Sequence, residues 1–266
     1  SAGGDTIAAN VATARALGVP NIFCGTVRHA TADDFALIVS SYARHSSLPR
    51  HIVTLKPTAM DPASLGRPDM PPRLGPDRPP ALIALLIGGD SGLFHYRRDE
   101  WDQLLGLIDA VHSACGAQFL VSTSRRTPDV VADALAVQAR RSKAIAEWID
   151  YRTAGPGTLP QILARAEAAL VTEDSSTMIS EAIAARLAVV GVAPADHGFK
   201  PEEAEYRALM VERRWARFIA LAELTPARLL EAFAAVEPMT ENHLDTLARL
   251  LAERLPHLAP GTWAAV

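Results

Sequence analysis

"AALVTEDSSTMISEAIAARLAVVGV", residues 168–192, places two apolar runs around a polar turn and an amphipathic stretch. "AALVT" (168–172) and "LAVVGV" (187–192) are strand-sized and nearly continuous in apolar residues, as strands covered on both faces are. Between them the spacing predicts a helix near 176–186 with Ser175 or Ser176 as its N-cap. Met178, Ile179, Ala182 and Ile183 fall on the core face, and Thr177, Ser180 and Glu181 on the other. The segment is therefore a β-α-β unit, and its polar turn lies where a parallel strand ends.

The same alternation extends upstream. "ALIALLI" (81–87) ends at Gly88-Gly89, and Trp101, Leu104, Leu105, Ile108, Val111 and Cys115 then recur at helical spacing. "AQFLVST" (117–123) is the next strand. Thr127-Pro128 opens a helix with Thr as N-cap and Pro at the first position. "AIAEWID" (144–150) is a third strand, and a short helix spans 159–166. Strict alternation with helical crossovers implies a parallel sheet covered on both faces. Ligands on such sheets bind beyond the carboxyl ends of the strands. The loops 88–96, 122–127 and 172–177 should meet there.

The first 60 residues repeat the plan in part, with a helix from Asp5 to Gly18 and strands at 21–25, 35–41 and 51–55. One or two starting β-α units are missing from such a layer. Because the chain opens on Ser1-Ala2-Gly3-Gly4 and not on a methionine, we expect an upstream segment. A stretch with eight prolines, 57–80, reads as a semi-extended linker. Beyond 192 mostly helix is expected, one starting at Thr225-Pro226 and a last one with a leucine stripe from Leu244 to Leu255. The expected division is a partial Rossmann-like domain at 1–60, a linker at 61–80, a second Rossmann-like domain at 81–235, and a helix and tail at 236–266.

Composition narrows the function. The 266 residues are 49% hydrophobic and 21% charged, with a net charge of −4, which argues against an electrostatic grip on nucleic acid. Two cysteines, Cys24 and Cys115, make no disulfide framework and no zinc spacing, and fit a cytosolic protein. No apolar run reaches the roughly 20 residues that span a bilayer. Neither G-x-G-x-x-G nor a P-loop occurs, so no dinucleotide cofactor is expected. Without a D-x-D motif, neither is an obligatory metal.

Three loops remain as candidates. Gly88 and Gly89 allow close backbone approach, with Asp90 and His95 following. Ser124, Arg125 and Arg126 lie between a strand and a helix, where a guanidinium suits a phosphate or carboxylate. Ser175 and Ser176 open a helix whose N-terminus favours an anion, although serines cap helices widely. Glu173 and Asp174 would repel a phosphate, so they are expected to point sideways at sugar hydroxyls or loop N–H groups. Met178 flanks the turn, and Glu181 could accept hydrogen bonds from ribose. Together these describe a pocket for an anionic, hydroxylated ligand such as a nucleoside diphosphate sugar.

"LIGGDSG" (86–92), "VSTSRRTPD" (121–129) and "VTEDSSTMISEA" (171–182) resemble the motifs of the mitochondrial fission domain family, common in alphaproteobacteria. The resemblance runs from Ser1 to Val192. It implies an α/β fold of two Rossmann-like domains in a GT-B-like arrangement, the N-terminal one incomplete in this chain. It also implies a donor on the C-terminal domain, with Gly88, Gly89, Ser124, Arg125, Ser175, Ser176 and Glu181 at motif positions. "SAGGDT" resembles the family's N-terminal phrase but lacks its more usual arginine after Ala2-Gly3. The function implied is transfer of a glycosyl group from a nucleotide sugar to an unknown acceptor, such as a membrane-associated glycan or lipid. Leaving-group stabilisation would come from helix N–H groups and Arg125 or Arg126. Asp5, His29 and His45 lie at strand-end loops of the first domain, and His29 is the chosen base. The alternatives are a non-catalytic scaffold in envelope organisation, peripheral to the inner membrane, and a sugar-nucleotide epimerase.

Overall fold

The computed structural model describes residue 2 and residues 4–256. Ser1, Gly3 and the tail 257–266, parts of the expected opening phrase and C-terminal segment, lie outside the described residues. Helix α1 (Ile7–Leu17) precedes strands β1 (Ile22–Cys24), β2 (Leu37–Ser40) and β3 (His51–Val53). The three strands pair in parallel in that order. Phe23, Phe35 and Ile38 pack with Ile7 of α1 on one face. Leu37, Val39 and Ile52 fill the other face, where alternate side chains of β2 point.

The segment 57–80 carries no helix or strand, only turns and an isolated Gly75–Arg78 bridge. It is nevertheless packed rather than free. Met60 is buried against the core of the following sheet, and Arg67 Nη1 donates to the Ala166 carbonyl at 2.6 Å.

Next come β4 (Leu82–Leu86), β5 (Phe94–His95), α2 (Arg98–Cys115), β6 (Gln118–Ser122), α3 (Asp129–Arg141), β7 (Ile145–Ile149), α4 (Tyr151–Ala154), α5 (Leu159–Arg165), β8 (Ala168–Thr172), α6 (Ser176–Ala184), β9 (Ala188–Ala193) and β10 (Asp196–His197). They are followed by α7 (Pro201–Glu212), β11 (Ala216–Ala220), α8 (Pro226–Ala234) and α9 (His243–Arg254). The large sheet is parallel, with order β11-β9-β8-β4-β6-β7. Its first strand, β4, and its fourth, β8, are neighbours, and the strand order reverses there. That is the doubly wound Rossmann order, with its switch point between β4 and β8.

Alternation on β4 shows why its sequence is apolar throughout. Ile83, Leu85 and Ile87 join one core with residues of α2, α3 and α8. Ala84 and Leu86 join the other with residues of α5, α6 and α7. Strand β11 was not legible in the sequence. It lies at the sheet edge beyond β9, and "ARFIA" holds an arginine that a central strand would not tolerate. Thr127 does not cap α3, whose N-cap position is Pro128. Its hydroxyl donates instead to the carbonyls of Ile87 and Gly88, at 2.9 and 2.8 Å, and so ties the turn to the end of β4.

The last described helix returns to the first sheet. Leu247, Leu250 and Leu251 of α9 and the following Leu255 cover Leu37, Val39 and Ile52. Leu255 is 7% exposed. Leu255→Ala is expected to lower unfolding free energy by about 2–4 kcal/mol, by lost burial plus cavity. Urea titration should show this as a lower midpoint with an unchanged slope.

Candidate functional site

The crevice between β4 and β8 is built around one carboxylate. Asp174 follows β8, and its side chain is fully buried. Arg126 Nε donates to Asp174 Oδ2 at 3.1 Å, and Nη2 donates to the same oxygen. Tyr96 Oη donates to Oδ1 at 3.4 Å. Burial, with Asp174 alongside, raises the Tyr96 pKa and keeps that phenol a donor. Gly88 N donates to Thr172 Oγ1 at 2.7 Å, which joins the ends of β4 and β8.

The two glycines are explained by this packing. A Cβ on Gly88 would stand 2.1 Å from Asp174 Oδ2, and one on Gly89 2.0 Å from the Arg126 carbonyl oxygen. The first clash is with a carboxylate that Arg126 holds in place, the second with backbone. The three loops thus meet at the sheet edge, Gly88 and Gly89 from one, Arg126 from another and Asp174 from the third.

The acidic pair does not reach sideways to a ligand as the sequence suggested. Glu173 is buried, and Arg207 Nε donates to its Oε2 at 2.9 Å while Nη2 donates to its backbone oxygen at 2.7 Å. Burial raises the Glu173 pKa, and the Arg207 charge opposes that rise. Each acid is committed to one arginine because a lone buried charge would be far more costly. Arg126 is committed in turn. Arg125, beside it, is exposed and has no hydrogen-bond or ion-pair partner among the described residues. Ser124 is spent on the turn, its hydroxyl accepting from Arg126 N at 3.2 Å.

Asp90 is exposed, and its carboxylate accepts from Tyr96 N at 2.9 Å, bracing the glycine loop. His95 is exposed on β5, opposite Asp196 of β10. Ser175 is the N-cap of α6, its Oγ accepting from Met178 N at 3.4 Å. The Met178 side chain is half-buried at the edge of the core. Ser180 does not face away from the core. It is fully buried, and its hydroxyl meets Tyr206 Oη at 2.9 Å. Glu181 is half-buried with no partner among the described residues, and burial pushes its pKa up to about 7.

A cavity of about 350 Å³ opens over this edge, lined by Ser176 and Asp174, by Ser91–Phe94, by Phe199, Glu203 and Arg207, and by Arg28 and Tyr42 from the loops after β1 and β2. His29 lines a different cavity, of about 450 Å³, with Asp5, Arg15 and Asp34. The expected base is therefore outside the lining of the cleft, and only its neighbour Arg28 faces both spaces. His45 lines neither space, and its Nδ1 shares a hydrogen bond with Ser40 Oγ at 2.7 Å. A larger cavity, about 600 Å³, is bordered by Val53, Leu209, Trp215 and His243 and by none of the three sheet-end loops.

Sequence reasoning missed Lys56, which reaches Ser176, and its partner Glu203. The available signal was a cation placed directly after strand-like "HIVTL" and before a proline. Among the described residues no group of three acidic, histidine or cysteine side chains could hold a metal, and no helix is long and apolar enough to cross a membrane.

A family model described as mitochondrial fission ELM1 matches residues 1–258. The chain belongs to the mitochondrial fission ELM1 family. No curated protein sequence matches this family member. Among solved structures, it is similar to the UDP-GlcNAc 2-epimerase of Methanocaldococcus jannaschii in complex with UDP-GlcNAc and UDP, at 12% identity and TM-score 0.53, over 95% of this chain and 74% of that one. MurG of Acinetobacter baumannii matches at 17% identity and TM-score 0.43, over 98% and 70%. The E. coli ADP-heptose lps heptosyltransferase II matches at 13% and 0.45, over 85% and 78%. At such identities the likeness concerns the fold, which in this ELM1 family member is of the GT-B type, with Rossmann-like α/β sheets.

Gly89→Ala should destabilise the protein by about 3 kcal/mol or more, because the new methyl meets backbone that cannot move alone. Thermal and urea unfolding measure this directly. Glu181→Gln should act through pH. A carboxyl with a raised folded pKa stabilises most below its unfolded value and loses that contribution as pH rises through about 7. Wild-type stability should therefore fall relative to the Gln variant by on the order of 1–3 kcal/mol between about pH 4.5 and 7.5.

Proposed function

We propose that this protein binds a nucleoside diphosphate sugar at the switch point between β4 and β8 and transfers the glycosyl group to an acceptor. The observation that carries the reading is Glu181: a half-buried carboxylate without a partner among the described residues, on the helix that opens at the crevice. Such a group loses solvation and gains nothing in the free protein. Two ribose hydroxyls would supply the missing donors. Ser175 takes the Met178 N–H, while those of Ser176 and Thr177 have no acceptor within α6, and the helix start carries a partial positive charge. Diphosphate oxygens fit there, and Arg125, on the turn after β6, is a cation with no partner among the described residues.

In the transfer, the bond from the anomeric carbon to the diphosphate oxygen breaks and that oxygen takes up the electron pair. The helix N–H groups and Arg125 stabilise the charge that develops on it. The acceptor hydroxyl attacks the anomeric carbon, and its proton passes to solvent. The crevice lies between two α/β layers, and we propose that the first sheet, with Arg28 and Tyr42 facing the cavity, supplies the acceptor side. Likeness to the epimerase favours the fold and leaves the reaction to the assay.

Thermal shift with UDP-, GDP-, ADP- and CMP-sugars tests binding. One donor at about 100 times its dissociation constant should stabilise by about 2.7 kcal/mol, a rise of several degrees. Silence from the whole panel would favour a non-catalytic scaffold. Sugar release from the bound donor supports transfer, and conversion of the sugar without release points to an epimerase. Glu181→Ala should weaken the bound nucleotide about tenfold or more while the unliganded protein stays folded and melts no lower than wild type at about pH 7.5. Wild-type affinity should rise from about pH 6 to pH 8 as the carboxyl ionises and becomes a better acceptor, and Glu181→Gln should abolish that slope.

A further inference from the structure

Beside the cleft, bonded to two residues that line it, stands a cation that the three loops do not account for. Lys56 lies three residues beyond β3, at the start of the connecting segment. Its backbone N–H donates to Tyr206 Oη at 2.9 Å, which fixes its position against the second sheet's helices. Its ammonium donates to Ser176 Oγ and to Glu203 Oε1, each at 2.6 Å, and stands 4.8 Å from the Tyr206 ring centroid. The side chain is only 18% exposed. Ser176 and Glu203, which hold the ammonium, both line the cleft cavity.

This is an unfavourable place for a lone positive charge. Ser176 begins α6, and the positive end of a helix repels cations. Burial lowers the Lys56 pKa, with Glu203 pulling it back. Glu203 is itself divided. Burial opposes its ionisation, yet Lys56, Tyr42 and Arg207 together hold its pKa at about 2. The same carboxylate serves Tyr42 Oη at 2.8 Å and Arg207 Nη1 at 3.2 Å. Arg126 and Arg207 each have a buried acid, whereas Lys56 shares Glu203 with Arg207 and otherwise meets a neutral hydroxyl and the rings of Tyr42 and Tyr206.

We propose that Lys56 is a ligand for the donor's diphosphate, taking a phosphate oxygen in place of Ser176 while Glu203 keeps its ammonium aimed into the cleft. This rests on the nucleotide-sugar reading above. An anion there would satisfy the ammonium and the helix end at once. Because Lys56 comes from the chain joining the two sheets, diphosphate binding would also join them through one side chain.

Calorimetry on the whole chain separates the two ideas. UDP, GDP and ADP are titrated into wild type and Lys56→Met, together with uridine, guanosine and adenosine, and both proteins are melted in parallel. The nucleoside diphosphate that wild type binds should weaken by about tenfold or more in the variant, and its nucleoside should change less than about twofold. Should Lys56→Met fail to fold, Lys56→Gln carries the same comparison. Equal diphosphate affinity in variant and wild type overturns the role of Lys56 and leaves the nucleotide reading standing. Parallel loss of nucleoside and diphosphate binding makes Lys56 structural, which also overturns it. No binding of any of the three diphosphates to wild type removes the nucleotide reading, and this inference with it.

Discussion

A buried carboxylate cannot stay ionised without a partner, and at the edge of the large sheet Asp174 has one in Arg126. That pair fixes more than two side chains. Arg126 belongs to the turn after β6, Asp174 to the turn after β8, and Gly88 gives up its Cβ so that the carboxylate can lie against the turn after β4. Three strand ends are thereby locked into one surface. Thr127 and Thr172 complete the lock with hydrogen bonds to the end of β4, so the crevice is held in shape by the protein's own groups.

The lock sorts the polar residues into two groups. Glu173, Asp174, Arg126 and Ser124 are occupied with the protein and shape the site. Arg125 and Glu181 have no partner among the described residues, and Ser176 touches only the ammonium of Lys56 with its side chain. A cation, a carboxylate and a helix start are what a sugar nucleotide presents partners for: phosphate oxygens to the first and last, ribose hydroxyls to the second. For the proposed ligand, preorganisation of this kind would keep the cost of ordering low.

The sequence carried the β-α alternation from 81 to 192 because each core strand is buried on both faces and each crossover helix is amphipathic. It did not carry β11, whose edge position permits Arg217, nor the return of α9 to the first sheet, because an apolar stripe does not name the surface it covers. At the site, the meeting of the loops followed from topology alone. Which of two adjacent arginines is free did not, since Arg125 and Arg126 are equivalent as letters and differ only in which one Asp174 reaches. Glu173 and Ser180 were misjudged for the same reason: Arg207 and Tyr206 lie on α7, some 25 to 35 residues away, and no local pattern links them. Lys56 carries no local signal of its role, because it precedes a proline-rich stretch and its partners lie 120 and 147 residues away.

The central claim is that the crevice between β4 and β8 holds a nucleoside diphosphate. A crystal structure of the protein soaked with the nucleoside diphosphate that stabilises it most tests this directly. The account predicts phosphate density at the first turn of α6 and ribose hydroxyls within hydrogen-bond reach of Glu181. Clear nucleotide density elsewhere, with Glu181 and the start of α6 untouched, would contradict it.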